Sequence, residues 1–482
     1  MIRNITIHNL ISNLFLFVIL LVFCVTFLPI PAAFNKNDLI GIQFVLIGLI
    51  SAIGIILSNN QYRFSAGMIV WLFCFAFFFC GGLSQYGKNA FRWGLEPTNQ
   101  EIMFANNLIL LWMTVFAVFR NLKVKHFTIR RKQSLLDRSI NIHNKVLLPL
   151  AIVLFLIGMA NVVTVGWKSL FTRADYGYGI FSSIGSQPLR LLATAVTRGF
   201  SFWITLLSIY NCKNNNLGCR RVFLILMLIV SFLNIPPLGV ARYIFAAYYG
   251  GICIYSFRWL RNRYVLFYVL SLGLLLLFPL LNAFRGAYTK TISLSSVIQS
   301  IGNISDNFAT ADYDAYTMLV YTIRNAASYG TSHGKQLLGV LLFFIPSSVW
   351  PGKPIGSGAT VFHNLGLTET YNANVSCPLV AEGFINFGVF GVFVFAMFLG
   401  IITGTMDRLY WNQWSGNKTF GELFYAFSVL YFVFLCRGDL LSSFAFFCGY
   451  LITLFTIILL FNHHRSKIKV ILNLDRSTMS IQ

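Results

Sequence analysis

Charged residues are scarce in this chain of 482 residues, and acidic residues are the scarcest. Lysine, arginine, aspartate and glutamate together make up 10% of the sequence, and only 14 residues are acidic. A soluble globular domain carries about 25% charged residues. This shortage, together with 57% hydrophobic residues and a mean hydropathy of +0.72, excludes a water-soluble globular protein.

The chain also lacks the patterns that bind nucleotides and metals. It has no Gly-x-x-x-x-Gly-Lys-Ser/Thr loop and no glycine-rich Rossmann pattern, which argues against ATP hydrolysis and against a sugar-nucleotide donor. The cysteines are not at disulfide or zinc spacings, and most lie in or beside apolar runs, where they resemble small buried hydrophobes. We therefore predict neither a metal site nor a cofactor.

What the chain does contain is about twelve apolar runs of roughly twenty residues, the length that crosses the hydrocarbon of a membrane as a helix. Its 37 glycines would let such helices approach one another closely. The sequence thus predicts an all-α polytopic membrane protein with about 12 transmembrane helices. The runs lie near residues 10–30, 38–58, 65–84, 101–119, 146–166, 190–210, 222–236, 240–257, 264–282, 378–405, 420–436 and 440–461.

Lysines and arginines in the connections predict the side that each connection faces, because positively charged connections stay in the cytoplasm. The connection 120–145 holds eight of them. Counting alternately from there places both termini in the cytoplasm, with 22 of the 36 basic residues and 4 of the 14 acidic residues on the inner side. The net charge of +22 is explained by this bias, so no nucleic-acid partner is predicted.

This topology divides the chain into four parts. Helices 1–9 occupy residues 1–282, a large outer loop between helices 9 and 10 occupies 283–377, helices 10–12 occupy 378–461, and a basic cytoplasmic tail occupies 462–482. Within the loop, 337–345 is apolar but too short to span, so it lies in the interface or re-enters the bundle.

Four arginines on the predicted outer side run against the inward bias of positive charge. They are Arg173, Arg242, Arg285 and Arg437. The simplest reason for them is an anionic ligand at the outer surface, since two or three guanidinium groups are needed to offset a pyrophosphate. The alternative is that each only reaches toward the interface or pairs with an acid nearby, such as Asp439.

A second group of candidates lies in and after the large loop. The segment IPSSVWPGKPIGSGATVFHNLG is rich in turn residues and holds Trp350, Lys353 and His363, which favours ligand binding over helix formation. Glu382 begins the tenth span, where a partly buried carboxylate could act as a general base. It could instead stabilise a helix N-terminus, and His363 could be structural or solvated instead of a base.

Several motifs occur in the order found in bacterial O-antigen and oligosaccharide repeat-unit polymerases, and the chain resembles that family over most of its length. The most specific motif is Glu-Gly-Phe-Ile-Asn-Phe-Gly from Glu382. The others are Pro-Pro before Ala-Arg-Tyr at Arg242, Phe-Arg-Gly at Arg285, Trp-Pro-Gly-Lys-Pro from Trp350, and Arg-Gly-Asp from Arg437.

The resemblance implies an inner-membrane glycosyltransferase with a GT-C-like architecture and its active site facing the periplasm. It would join undecaprenyl-pyrophosphate-linked repeat units without a metal or nucleotide, and a chain-length regulator protein would be a further partner. Glu382, His363 and Arg285 would be the catalytic residues. Arg173, Arg242, Arg285, Arg437, Lys353 and Trp350 would bind the pyrophosphate and sugars. An O-antigen ligase and a flippase or other transporter of lipid-linked oligosaccharides are the alternative functions.

Overall fold

The computed structural model describes residues 7–122, 135–140, 144–170, 179–184, 187–214, 218–237, 240, 242–262, 264–273, 306, 308–371 and 375–479. Only the backbone is described over 461–479 and at the ends of some other helices. Every regular element within these ranges is a helix, which confirms the all-α class.

Sixteen α-helices are described in addition to several short 3-10 and π-helical turns, and the ninth α-helix begins at Arg242, one of the predicted site residues. In chain order they are α1 (Ile7–Phe27), α2 (Ile30–Lys36), α3 (Asp38–Gln61), α4 (Ala66–Gly87), α5 (Asn99–Asn121), α6 (Asn144–Val165), α7 (Gln187–Asn214), α8 (Gly218–Asn234), α9 (Arg242–Ser256), α10 (Val265–Leu272), α11 (Ala315–Tyr329), α12 (Lys335–Leu341), α13 (Ser357–Asn364), α14 (Leu379–Leu409), α15 (Phe420–Arg437) and α16 (Leu440–Met479).

Eight of the described helices are long and apolar enough to cross a membrane, namely α3, α4, α5, α6, α7, α14, α15 and α16. Helices α1 and α2 are bent by 63° and make a ninth span if they are taken together. Two predicted runs correspond to the shorter apolar helices Arg221–Asn234 and Ile244–Ser256. The run predicted at 264–282 lies partly outside the described residues. The chain is therefore a multi-pass helical membrane protein, and the full count of twelve spans stays a prediction.

Helix α4 forms the centre of the bundle. All residues from 64 to 86 are buried, so this helix is covered by protein on every side. Large apolar side chains elsewhere are exposed, among them Leu156, Val163 and Phe390. Because a multi-pass protein exposes such side chains to lipid tails, they mark the perimeter of the bundle.

Glycines let α14 lie directly against α5. A Cβ atom added to Gly404 would stand 2.4 Å from the carbonyl oxygen of Arg120, and one added to Gly400 would stand 2.9 Å from the carbonyl oxygen of Phe116. Both distances are too short for a real side chain. The backbones of α5 and α14 can therefore approach this closely only because these positions are glycine, which is the use predicted for the glycines.

Polar contacts define two ends of the bundle. At one end, which we call the Arg120 end, the buried Arg120 pairs with Asp407 at 3.2 Å, and Arg261 pairs with Glu422 at 2.9 Å. At the other, the Arg437 end, Arg437 pairs with Asp314. Each of these pairs joins segments that the count of positive charges assigns to the same side.

A small apolar core lies at the Arg437 end, separate from the core of the bundle. It is formed by α11, α13, the start of α14 and the segment after α13, and it contains Met318, Tyr321, Val361, Phe362, Leu367 and Ile385. Trp93, from the connection between α4 and α5, contacts Phe362 edge to face with 4.9 Å between ring centroids. The loop predicted to lie outside the membrane thus folds together with a second, shorter connection.

Candidate functional site

Glu382 lies in the first turn of α14 and is completely buried. One carboxylate oxygen, Oε2, accepts a hydrogen bond from the hydroxyl of Ser357 at 2.6 Å. The other, Oε1, accepts one from the backbone N–H of Leu440 at 2.8 Å. Glu382 therefore accepts from the N-terminus of α16, and it links the first residue of α13 to the first residue of α16.

Asp439 is the second carboxylate of this site, and it lies between α15 and α16. Its oxygens accept hydrogen bonds from the backbone N–H of Leu441 at 3.0 Å and from that of Gly358 at 3.1 Å. The N-termini of α16 and α13 both point at this one carboxylate, an arrangement that favours a negative charge. Burial nevertheless raises the pKa of Asp439, and the hydrogen bonds from the backbone oppose that shift.

Gly356 makes room for Asp439. It has φ of +112°, and a Cβ atom added there would stand 2.8 Å from Oδ2 of Asp439. A side chain at this position would be strained by the backbone and would collide with the carboxylate. The glycine just before α13 therefore permits the close approach on which the hydrogen bond to Gly358 depends.

Arg437 belongs to a second polar group at the same end. Its Nη2 lies 2.9 Å from Oδ1 of Asp314, and its Nε donates to the carbonyl oxygen of Asp312 at 3.1 Å. Ser376 donates its hydroxyl to the same oxygen of Asp314 at 2.7 Å. Burial raises the pKa of Asp314, whereas the charge of Arg437 and the hydrogen bonds of Ser376 act in the opposite direction.

The side chain of Arg437 remains partly accessible in this ion pair, since 24% of it is exposed. The side chain of Asp314 is only 4% exposed. The sequence raised Asp439 as a partner for this arginine, but the acid paired with it is Asp314. Arg437 is thus a partly exposed cation whose direction is fixed by Asp314 and by the carbonyl oxygen of Asp312.

A break in α14 separates the residues of the site from the membrane span. Phe387 and Gly388 leave the helical conformation, and Gly388 has φ of +61°. The backbones on the two sides of the break lie so close that a Cβ atom on Gly391 would stand 1.9 Å from the carbonyl oxygen of Gly383. The glycines of this motif, expected to allow close packing, therefore permit a sharp change of direction within the chain.

Asn386 holds the segment before the break in place. Its side chain donates to the carbonyl oxygen of Glu382 at 2.9 Å and accepts from the backbone N–H of Leu337 at 2.9 Å. The residue is completely buried. It therefore connects the helix that carries Glu382 to α12 in the large loop.

Among the described contacts, none joins Glu382 to the other predicted residues of the loop, which are Lys353, Trp350 and His363. Lys353 donates to the carbonyl oxygens of Phe343 and Ile345 at 2.6 and 2.7 Å, and burial lowers its pKa. Trp350 is half-buried. His363 is exposed and lies in the last turn of α13, whereas Ser357, which contacts Glu382, begins that helix.

The remaining arginines are only partly within the described structure. Arg242 is the first residue of α9, and its side chain is outside the described part. Arg173 and Arg285 lie outside the described residues altogether. Their proposed roles therefore rest on the sequence.

Several residues of the site carry no signal in the sequence. Asp314, Ser357 and Ser376 are common polar residues in a loop, and their partners lie 123, 25 and 62 positions away. The turn-rich segment was expected not to form a helix, but Ser357–Asn364 is helical. No side chain within α13 or just before it caps this helix, and the hydrogen bond that Gly358 donates to the distant Asp439 supplies the missing cap.

No protein-family model, curated protein or solved structure matches this chain.

Proposed function

We propose that this protein polymerises undecaprenyl-pyrophosphate-linked oligosaccharide repeat units at the periplasmic face of a bacterial inner membrane. The observation that carries the proposal is the gathering of Glu382, Asp439, Asp314 and Arg437 at one end of a membrane bundle, from three separate parts of the chain. Three of these residues, Glu382, Arg437 and Asp439, belong to the motifs through which the sequence resembles the repeat-unit polymerases. The same end holds the described part of the large loop, which contains Trp350, Lys353 and His363.

In the proposed reaction, a hydroxyl of the incoming unit attacks the anomeric carbon of the growing chain. The bond from that carbon to the pyrophosphate breaks, a glycosidic bond forms, and undecaprenyl pyrophosphate leaves with its negative charge. The hydroxyl proton passes to a base. Cations that meet the developing charge on the leaving group lower the barrier, because they stabilise the transition state more than the ground state.

Glu382 is the candidate base. The hydroxyl of Ser357 already lies 2.6 Å from its Oε2, so this carboxylate can receive a hydrogen bond from an alcohol. An acceptor hydroxyl that took the place of Ser357 would be within the distance needed for proton transfer. Because Glu382 is completely buried, this role requires Ser357 to move aside when the acceptor binds. The exposed His363 is the alternative base.

Arg437 is the candidate cation for the pyrophosphate. Its guanidinium is held by Asp314 and remains partly exposed. Arginine suits this role because its planar group can give two parallel hydrogen bonds to phosphate oxygens. Arg173, Arg242, Arg285 and Lys353 are proposed as further cations for the same group, and Trp350 as a surface for a sugar ring.

Deletion of the gene from its bacterium tests the proposal through a gel of the surface polysaccharide. A polymerase deletion leaves a single repeat unit on the lipid A core, because transport and ligation of one unit still occur. Complete loss of repeat units would contradict the proposal. Accumulation on the carrier lipid at the periplasmic face would then indicate a ligase, and accumulation at the cytoplasmic face would indicate a flippase. The control is the deletion strain that carries the gene on a plasmid, in which the polymer should return.

A further inference from the structure

The segment Lys335–Ile355 of the large loop exposes an unusual set of apolar side chains, which we call the apolar shelf. The fractional exposures are 48% for Leu338, 53% for Leu341, 61% for Phe344, 74% for Val349 and 66% for Ile355. Exposed apolar residues are common singly on protein surfaces, but five within eighteen consecutive positions form a patch. A patch of this kind marks a surface that meets another apolar phase.

Helix α12, at the start of the shelf, is apolar on its exposed face. Its buried face contains Gln336, Gly339 and Val340, which pack against the protein. Its opposite face carries Leu338 and Leu341, although an ordinary surface helix places polar residues there. The helix is therefore apolar on the side that faces away from the protein as well.

The shelf and the residue before it contact α16 near its start and α14 at its break. The ring of Phe343 contacts that of Phe444, near the start of α16, edge to face with 6.2 Å between centroids. On the other side, a Cβ atom added to Gly334 would stand 2.8 Å from the ring of Phe387, at the break in α14. Phe390, one turn further along that span, is 70% exposed on the perimeter of the bundle. The shelf is thus continuous with the lipid-facing surface.

The charge of the segment indicates the kind of lipid. Lys335 begins the shelf and Lys353 lies near its end, and the chain has no acidic residue between Asp314 and Glu369. Lys335 is exposed, while Lys353 is half-buried with its ammonium bound to two carbonyl oxygens. An exposed lysine beside exposed apolar side chains, in a stretch of chain without acidic residues, is typical of elements that lie in the headgroup region and are attracted to anionic lipids.

We propose that the apolar shelf lies flat in the boundary between headgroups and acyl chains of the leaflet at the Arg437 end, where it binds anionic phospholipid. The apolar side chains enter the acyl region, and Lys335 meets the lipid phosphates. This arrangement anchors the large loop to the membrane surface beside Ser357 and Glu382. The inference does not depend on the enzymatic activity of the protein.

Spin labels in the full chain test the proposal. Single cysteines at Leu338, Leu341 and Phe344 would be introduced after the nine native cysteines are replaced by serine or alanine, and the labelled protein would be placed in vesicles containing phosphatidylglycerol. Collision of each label with oxygen, which dissolves in lipid, is compared with collision with a water-soluble nickel complex. Tyr329 is the matched aqueous control, because it is aromatic and 62% exposed against 61% for Phe344. Phe390 is the lipid control.

The shelf labels are expected to favour oxygen, as the label at Phe390 does, while the label at Tyr329 favours the nickel complex. Nickel access at Phe344 equal to that at Tyr329 would overturn the proposal, because the shelf would then lie in water. Low collision with both reagents would also overturn it, since protein, such as a second copy, would cover the shelf. Equal ratios in vesicles with and without phosphatidylglycerol would overturn the preference for anionic lipid.

Discussion

Arg437 and Asp314 form an ion pair across 123 positions of the chain, with 2.9 Å between Nη2 and Oδ1. Asp314 is almost completely buried, and Ser376 donates a second hydrogen bond to the same oxygen. Asp314 therefore fixes the direction of a guanidinium group that remains partly exposed. In the proposed reaction, this acid positions Arg437 for the leaving pyrophosphate without touching the substrate.

Replacement of Asp314 by asparagine is expected to remove most polymer formation, because Arg437 loses its counter-charge and its fixed orientation. Loss of one partner of a buried pair costs about 3–5 kcal/mol, so the unfolding temperature should also fall. Polysaccharide gels and thermal unfolding in detergent measure both effects. Asp306→Asn is the matched control, since Asp306 pairs with Lys88 but is exposed, and a surface pair contributes about 0–1 kcal/mol. Full-length polymer from the Asp314 variant would contradict the positioning role.

Glu382→Gln separates the chemical role of Glu382 from its structural role. The amide can still accept from the N–H of Leu440 and can donate to Ser357, so the unfolding temperature should hardly change. It cannot take a proton at neutral pH, so transfer of repeat units should be lost while donor binding persists. Glu382→Ala leaves the N–H of Leu440 without its partner and should lower the unfolding temperature as well. Normal polymer from the Glu382→Gln variant would exclude the role of base. The contacts with α13 and α16 would then be the remaining function of Glu382.

Stability should depend on pH through Asp439. Burial raises the pKa of Asp439 above its ordinary value, which means that the folded protein binds this proton more tightly than the unfolded chain. The resulting stabilisation is fully present below the unfolded pKa of about 3.9 and is lost as pH rises through the folded pKa. Glu382 and the thiol of Cys377 lie in the same group of buried, titratable side chains.

The unfolding temperature should therefore fall more between about pH 4 and about pH 8 in the unsubstituted protein than in Asp439→Asn. The exposed Asp306→Asn variant serves as the reference and should keep the full dependence. An identical pH dependence in the Asp439 variant would show that this carboxyl does not contribute.

At the Arg120 end, Asp407 is expected to support the fold and not the chemistry. It pairs with Arg120 and accepts hydrogen bonds from the N–H of Ala66 at 2.7 Å and from the hydroxyl of Tyr425 at 2.5 Å. Asp407→Ala leaves a buried cation without its partner, which should destabilise the protein by about 3–5 kcal/mol. Asp137→Asn is the control, since Asp137 is only half-buried. Thermal unfolding in detergent should show a lower unfolding temperature for Asp407→Ala than for Asp137→Asn.

Orientation can be measured independently of activity. Exposed positions at the two ends are Glu369, which follows α13, and Asn417, which precedes α15. A cysteine at 369 should react in intact cells with a thiol reagent that does not cross the inner membrane, because the Arg437 end is expected to face the periplasm. A cysteine at 417 should react only after the cells are opened. The opposite pattern would reverse the proposed topology.

The sequence predicted the features that depend on local composition. The apolar runs identified the helices, because the length of a span and the lack of charge in it are properties of consecutive residues. The sequence singled out Glu382 and Arg437 because charged residues at the predicted outer ends of spans are rare. The close approach at Gly383 and Gly391 follows from the same motif.

What could not be predicted depends on contacts between distant segments. Asp314 is one of several acids in the loop, and only the folded chain places it against Arg437. Helix α13 was missed because its cap comes from Asp439, 81 positions after Gly358. The break at Gly388 was missed because a glycine within an apolar run indicates close packing as readily as a change of direction.

The contact between Glu382 and Leu440 also constrains how the protein is made. Leu440 begins α16, which follows every other described element of the site in the chain, so it leaves the ribosome after those elements have been synthesised. Until that helix has entered the membrane, Glu382 lacks the hydrogen bond from the N–H of Leu440, and the carboxylate of Asp439 lacks the N-terminus of α16. The Arg437 end can therefore be completed only after residue 440 has been synthesised, and a chain that stops before residue 440 cannot assemble it.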